Sequence, residues 1–143
     1  DANDNIVAYW VPDQQPRVGT PYDFGYTLSW YGDDPKRPPH GRVTATRRDG
    51  GDREGARRFV IDFGGKALEA VPADQILRGD VTIASGEDTA EIVQQHVVKN
   101  PVTGGWRLTF QIRPKTGSTI DLRAYLDKES ATLTETWSYL LRP

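Results

Sequence analysis

Large apolar and aromatic side chains occupy every even position from Tyr22 through Phe24, Tyr26 and Leu28 to Trp30, with small or polar residues between them. Successive side chains of a strand point to opposite faces, so this period of two predicts a half-buried strand in an antiparallel sheet. Shorter runs repeat the theme at residues 6–11, 42–47, 57–63, 81–85, 90–99, 106–112, 120–126 and 133–140. Turn-forming clusters separate them, among them Asp49-Gly50-Gly51-Asp52, Gly64-Gly65, the stretch from Asn100-Pro101 to Gly104-Gly105, and Lys115-Thr116-Gly117-Ser118. Strands this short, spaced by turns, predict an all-β sandwich or barrel rather than βαβ units.

Helical signal is weak. Residues 66–70 follow two glycines and residues 74–78 follow Pro72, so each is expected to make one turn within a loop. Residues 33–40 are the most loop-like stretch, because Pro35, Pro38 and Pro39 cannot donate to a central ladder. No repeat of fixed period and no low-complexity tract interrupts the chain.

Composition narrows the function classes. The chain has 143 residues, of which 36% are hydrophobic and 27% charged, the balance of one ordinary globular domain. A formal charge of -2 and a pI near 5.7 argue against a dedicated nucleic-acid binder, which more often has a pI above about 9. With no cysteine, disulfides, thiol nucleophiles and thiolate metal sites are excluded, and the count fits a periplasmic or a cytoplasmic protein equally. No apolar run approaches the ~18 residues of a spanning helix. Methionine is also absent and the chain opens on Asp1-Ala2-Asn3-Asp4, which suggests a processed or excised piece with any export signal upstream.

Candidate chemistry is sparse. His40 lies in the proline-rich loop and His96 within a predicted strand; with no metal-ligand spacing between them, both read as surface residues and no metal or other cofactor is expected. In Ala84-Ser85-Gly86 the first glycine of a nucleophile elbow is missing at the needed offset. Asp62 and Glu135 are the two strand carboxylates that a glycosidase could use as an acid and a base. Asp62, however, alternates against Phe59, Ile61 and Phe63, which favours a solvent-facing or arginine-paired carboxylate, and no catalytic residue is expected. The acidic string Asp49, Asp52 and Glu54 lacks the ordered oxygens of a calcium loop and reads as a hairpin turn. Trp10, Trp106 and Trp137 read as core, while Trp30-Tyr31 at the mouth of the proline loop is the exception best suited to contact a ligand. Finally, a simple hairpin would set Arg47 opposite Arg58 and Arg48 opposite Arg57. Facing like charges need acids or an anionic ligand between them, so this cluster is a candidate contact for an acidic surface or substituent.

Five strings in order are similar to a known family: Asp4-Asn5-Ile6-Val7-Ala8-Tyr9-Trp10-Val11-Pro12, the alternation from Tyr22 to Trp30, Arg57-Arg58-Phe59-Val60-Ile61-Asp62-Phe63, Asn100-Pro101-x-Thr103-Gly104-Gly105-Trp106-Arg107 and Glu135-Thr136-Trp137-Ser138-Tyr139. Together they resemble the C-terminal domain of the periplasmic glucan biosynthesis proteins G and D. The resemblance implies an immunoglobulin-like (E-set type) antiparallel β-sandwich of about seven to nine strands over residues 4–143, with residues 1–3 as the end of an interdomain linker. It further implies a periplasmic parent acting on β-1,2-linked glucan, some members being glucanases, with a large N-terminal β-sandwich carrying the glucan cleft and the catalytic carboxylates. Expected partners are therefore that large domain, glucan indirectly, and the membrane glucosyltransferase of the pathway. The domain itself is expected to be non-catalytic, packing against or positioning the large domain; an autonomous carbohydrate-binding module is the alternative.

Overall fold

The computed structural model describes residue 9, residues 11–28, residue 30, residues 40–115 and residues 117–143. The chain divides into two compact units, Asp1–Pro35 and Lys36–Pro143, and the division falls within the proline-rich stretch. The expected linker, residues 1–3, lies outside the described residues.

In the second unit, alternating segments become β1 (Arg42–Gly50), β2 (Arg57–Gly64), β3 (Arg78–Ile83), β4 (Ala90–Lys99), β5 (Trp106–Pro114), β6 (Ile120–Lys128), β7 (Ala131–Thr132) and β8 (Trp137–Leu141). A single helical turn, α1 (Lys66–Glu69), follows β2. The strands form two antiparallel sheets, one in the order β1-β2-β5-β4 and the other with β6 between β3 on one side and β7 and β8 on the other. This is a β-sandwich, as the alternation predicts.

Period two decides what fills it. On β5, Trp106, Leu108, Phe110 and Ile112 are buried, and opposite them on β2 stand Phe63, Ile61, Phe59 and Arg57 in register. From the second sheet, Ile120, Leu122, Ala124 and Leu126 of β6 and Trp137 of β8 close the core. Aromatic rings bridge the layers: Phe59 stacks on Phe110 at 5.2 Å, Trp137 meets each of them edge-on at 5.8 Å, and Tyr139 stacks on Trp137 at 5.5 Å. Trp106 and Trp137 are thus core residues, as expected.

The loop from β4 to β5 shows why its sequence is so specific. The Asn100 side-chain oxygen accepts from the backbone N–H of Val102 (3.1 Å) and Thr103 (3.4 Å), and Gly104 takes a φ of 73° that favours glycine. A Cβ on Gly105 would run into the Phe63 carbonyl, so the backbone of the turn packs directly on β2.

Several expectations change. Residues 74–78 form a turn running into β3, not a helical turn, and β3 begins earlier than the alternation suggested. The predicted strand 133–140 is divided, with residues 133–136 leading into a shorter β8, and β7 was unforeseen. The largest correction concerns the strand expected from Tyr22 to Trp30, of which residues 22–28 and residue 30 are described and carry no strand ladder. Alternation marks a face that an extended chain could bury, but a strand also needs a hydrogen-bonded neighbour, and none pairs with this segment among the described residues. Of the predicted strand 6–11, only Tyr9 and Val11 fall within the described residues.

Candidate functional site

The arginine cluster does not assemble as a simple hairpin would have it. The observed register pairs Asp49 with Arg58 and Gly50 with Arg57, while Arg47 faces Val60 and Arg48 faces Phe59. The Gly51 N–H bonds the Ala56 carbonyl at 3.1 Å, closing the turn two positions further along and replacing cation-on-cation with acid-on-base. Arg58 donates to Asp49 and Asp52, both at 2.9 Å, and these carboxylates raise its guanidinium above its ordinary value. Directly paired residues share a face, so Arg47 and Arg58 lie on the outer face, and Arg48 and Arg57 on the face of Phe59. There Arg48 approaches the Tyr139 hydroxyl at 3.4 Å, and Arg57 donates to the Ala56 carbonyl. The four arginines are split between two faces and mostly occupied.

Asp62 and Glu135 also have structural work. Asp62 is buried on the outer face of β2 beneath two guanidiniums: Arg107 reaches it at 2.7 and 3.0 Å, and Arg47 at 2.7 Å. The Arg107 hydrogen bond, helped by Arg47 and opposed by burial, holds its carboxyl below the ordinary carboxylate value. A general acid needs the opposite shift. Glu135 precedes β8 rather than lying in it, and its Oε1 accepts the Val43 N–H at 2.9 Å.

Two grooves remain. In the second unit, the start of β1, the end of β2 and α1 enclose about 560 Å³, bordered by Arg42, Thr44, Lys66, Glu69, Thr103 and Glu135. Sequence reasoning missed it because its walls lie far apart in the chain. The Gly64-Gly65 pair marked a turn at its floor, but nothing local brings Glu135 there. In the first unit, a larger groove of about 880 Å³ is lined by Tyr9, Val11, Tyr22, Phe24, Tyr26 and Leu28. The alternating residues of this segment are open to solvent, from 51% for Tyr22 to 87% for Trp30. Tyr31 lies outside the described residues. His40 and His96 are exposed, and among the described residues no three metal-ligating side chains gather.

The family model described as periplasmic glucan biosynthesis protein, MdoG, matches residues 1–141. The chain belongs to this family. The match to the periplasmic glucan biosynthesis family runs through both units, so the exposed aromatic segment is part of the family's pattern as much as the sandwich is. Among the described residues, no helix is long and apolar enough to cross a membrane.

Proposed function

We propose that the sandwich Lys36–Pro143 is a non-catalytic, immunoglobulin-like module of a periplasmic glucan biosynthesis protein, and that residues 9–30 carry the surface by which the chain packs against a glucan-binding β-sandwich domain. Glucan is then met indirectly, and the pathway's membrane glucosyltransferase is a further partner. One observation carries this reading: the exposed face of the first unit mixes aromatic rings with the aliphatic Val11 and Leu28. Soluble surfaces rarely leave so contiguous an apolar patch open, and such patches mark contact with protein. The engagement of Asp62 and Glu135 in structural bonds supports a module without chemistry of its own.

Adding the chain in trans to the large domain of a family member, with affinity read by calorimetry, tests the reading. Binding weakened at least tenfold by Phe24→Asp with Tyr26→Asp is expected, about 1.4 kcal/mol or more. Equal affinity of wild type and double variant, or no binding by either, would end it.

The exposure of Trp30 favours a second reading, an autonomous carbohydrate-binding module that stacks sugar rings on aromatic faces. Tryptophan fluorescence during glucan titration separates the two, because Trp106 and Trp137 are buried. A saturable change lost in Trp30→Phe would support the second reading over the first.

A further inference from the structure

We infer that the free edge of β4 is a self-pairing surface, through which two copies of this chain join their β1-β2-β5-β4 sheets into one continuous antiparallel sheet about a two-fold axis. This pairing is independent of the docking role above, which uses residues 9–30.

The other strands at the sheet edges are blunted. β1 carries Arg42, Arg47 and Arg48, is irregular between Val43 and Ala45, and has its Val43 N–H taken by the Glu135 carboxylate at 2.9 Å. β3 is short, and its Gly79 and Ile83 carbonyls already accept the Gln95 amide and the Gly86 N–H, both at 3.1 Å. On the far side of β6 stand the two residues of β7 and the five of β8. β4 is different. It is ten residues long, and residues 92–98 contain no lysine, arginine, acid, glycine or proline. Such a stretch on an edge is a template for another strand. The Asn100 N–H bonds the Gly105 carbonyl at 2.8 Å, so, stepping back by two, Val98, His96 and Gln94 turn their backbone groups toward β5. Those of Val97, Gln95 and Val93 point away from it, where no strand pairs among the described residues.

The sequence of β4 selects a second β4 as the occupant. Antiparallel pairing centred on Gln95 sets Val93 against Val97, and Gln94 against His96, in both halves at once. Valine then meets valine, and an amide meets an imidazole to which it can hydrogen-bond. Centring on His96 instead would oppose the two imidazoles and set Gln95 against Val97, and centring on Val97 would bring Pro101 against Val93. The favoured register also sets Glu91 against Lys99, so no like charges oppose each other. The irregularity between Ile92 and Gln94 ends the regular ladder at Val93, which keeps the interface short. A formal charge of -2 leaves little repulsion between copies. Because the two-fold axis consumes both β4 edges, the product is a closed dimer.

The test is sedimentation equilibrium of the full 143-residue chain from about 10 μM to about 1 mM. A mass rising from 16.0 kDa toward twice that, with a Kd of about 0.1 mM as befits a small interface, is expected, and amide exchange at Val93, Gln95 and Val97 should slow as concentration rises. Gln94 and His96 are exposed on the face away from the core, so their replacement leaves the fold intact. Gln94→Lys with His96→Lys sets ammonium against ammonium and should weaken association at least tenfold, whereas Gln94→Lys with His96→Glu sets ammonium against carboxylate and should restore it. A 16.0 kDa species throughout, equal association of the two double variants, assemblies larger than a dimer, or a dimer lost through Phe24→Asp with Tyr26→Asp would overturn the inference.

Discussion

Arg107 grips Asp62 with two nitrogens across the β2–β5 pair in which they are direct partners, Nε at 2.7 Å from Oδ1 and Nη2 at 3.0 Å from Oδ2. This fork-on-fork geometry is the strongest form of a carboxylate hydrogen bond, and it is reinforced by Arg47 from β1. The outer face of the sheet is thereby stapled across three adjacent strands.

Stability should therefore depend on Asp62 in acid. Its folded pKa is lowered from an ordinary 3.8, so its contribution is fully present above about pH 4 and is lost as pH falls through the folded pKa. Asp62→Asn should cost about 1.5–3 kcal/mol at pH 7, toward the lower end because both arginines are partly open to solvent. Urea unfolding at pH 7 and at pH 2–3 checks this: the gap between wild type and variant should narrow in acid, and a gap independent of pH would contradict it.

Lys99 should matter more than a surface lysine. Its ammonium gathers three carbonyls of the turn at α1 and lies 5.6 Å from the centre of the Trp106 ring, whose indole N–H also bonds the Leu68 carbonyl at 3.2 Å. Lys99→Met keeps the apolar stem but removes the ammonium from the Glu69 and Val71 carbonyls, while the Leu68 carbonyl keeps the Trp106 indole and the Val71 N–H, with an expected loss of about 1–3 kcal/mol. Thermal unfolding followed by tryptophan fluorescence measures it; an unchanged midpoint would show that water replaces the ammonium at no cost.

The hairpin between β6 and β7 offers a gain instead. Glu129 and Ser130 both adopt positive φ, 52° and 70°, between the paired residues Lys128 and Ala131. Such a two-residue turn prefers Asn-Gly, and side chains there cost about 1 kcal/mol or more. Glu129→Asn with Ser130→Gly should raise stability by about 1–2 kcal/mol, read as a higher urea midpoint with unchanged slope.

Much of the sandwich was legible because its strands alternate cleanly. The span of β4 matches its predicted segment, and β2, β5 and β6 extend theirs by at most two residues. Legibility failed where structure depends on distant partners. Alternation from Tyr22 to Trp30 reads as a strand, yet no neighbour completes a ladder among the described residues. The pairing of Arg58 with Asp49 turned on a register that loop length alone did not specify, since the turn closes on Gly51 and Ala56. The alternation places Asp62 on the outer face, either open to solvent or paired with an arginine, and the structure selects the arginine pair, with the carboxylate buried. Its partner Arg107 is 45 positions away and could not be named. The polar groove is illegible for the same reason, as Glu135 reaches β1 across 92 positions.

Hydrogen–deuterium exchange at residues 20–28, with the chain alone and with the large glucan-binding domain of a family member added, tests the central claim most directly. An exposed segment without a ladder should exchange quickly alone and slow by at least about tenfold on docking, as its backbone gains partners. Unchanged exchange at 20–28 in a mixture that does form a complex would contradict the claim that this face is the docking surface.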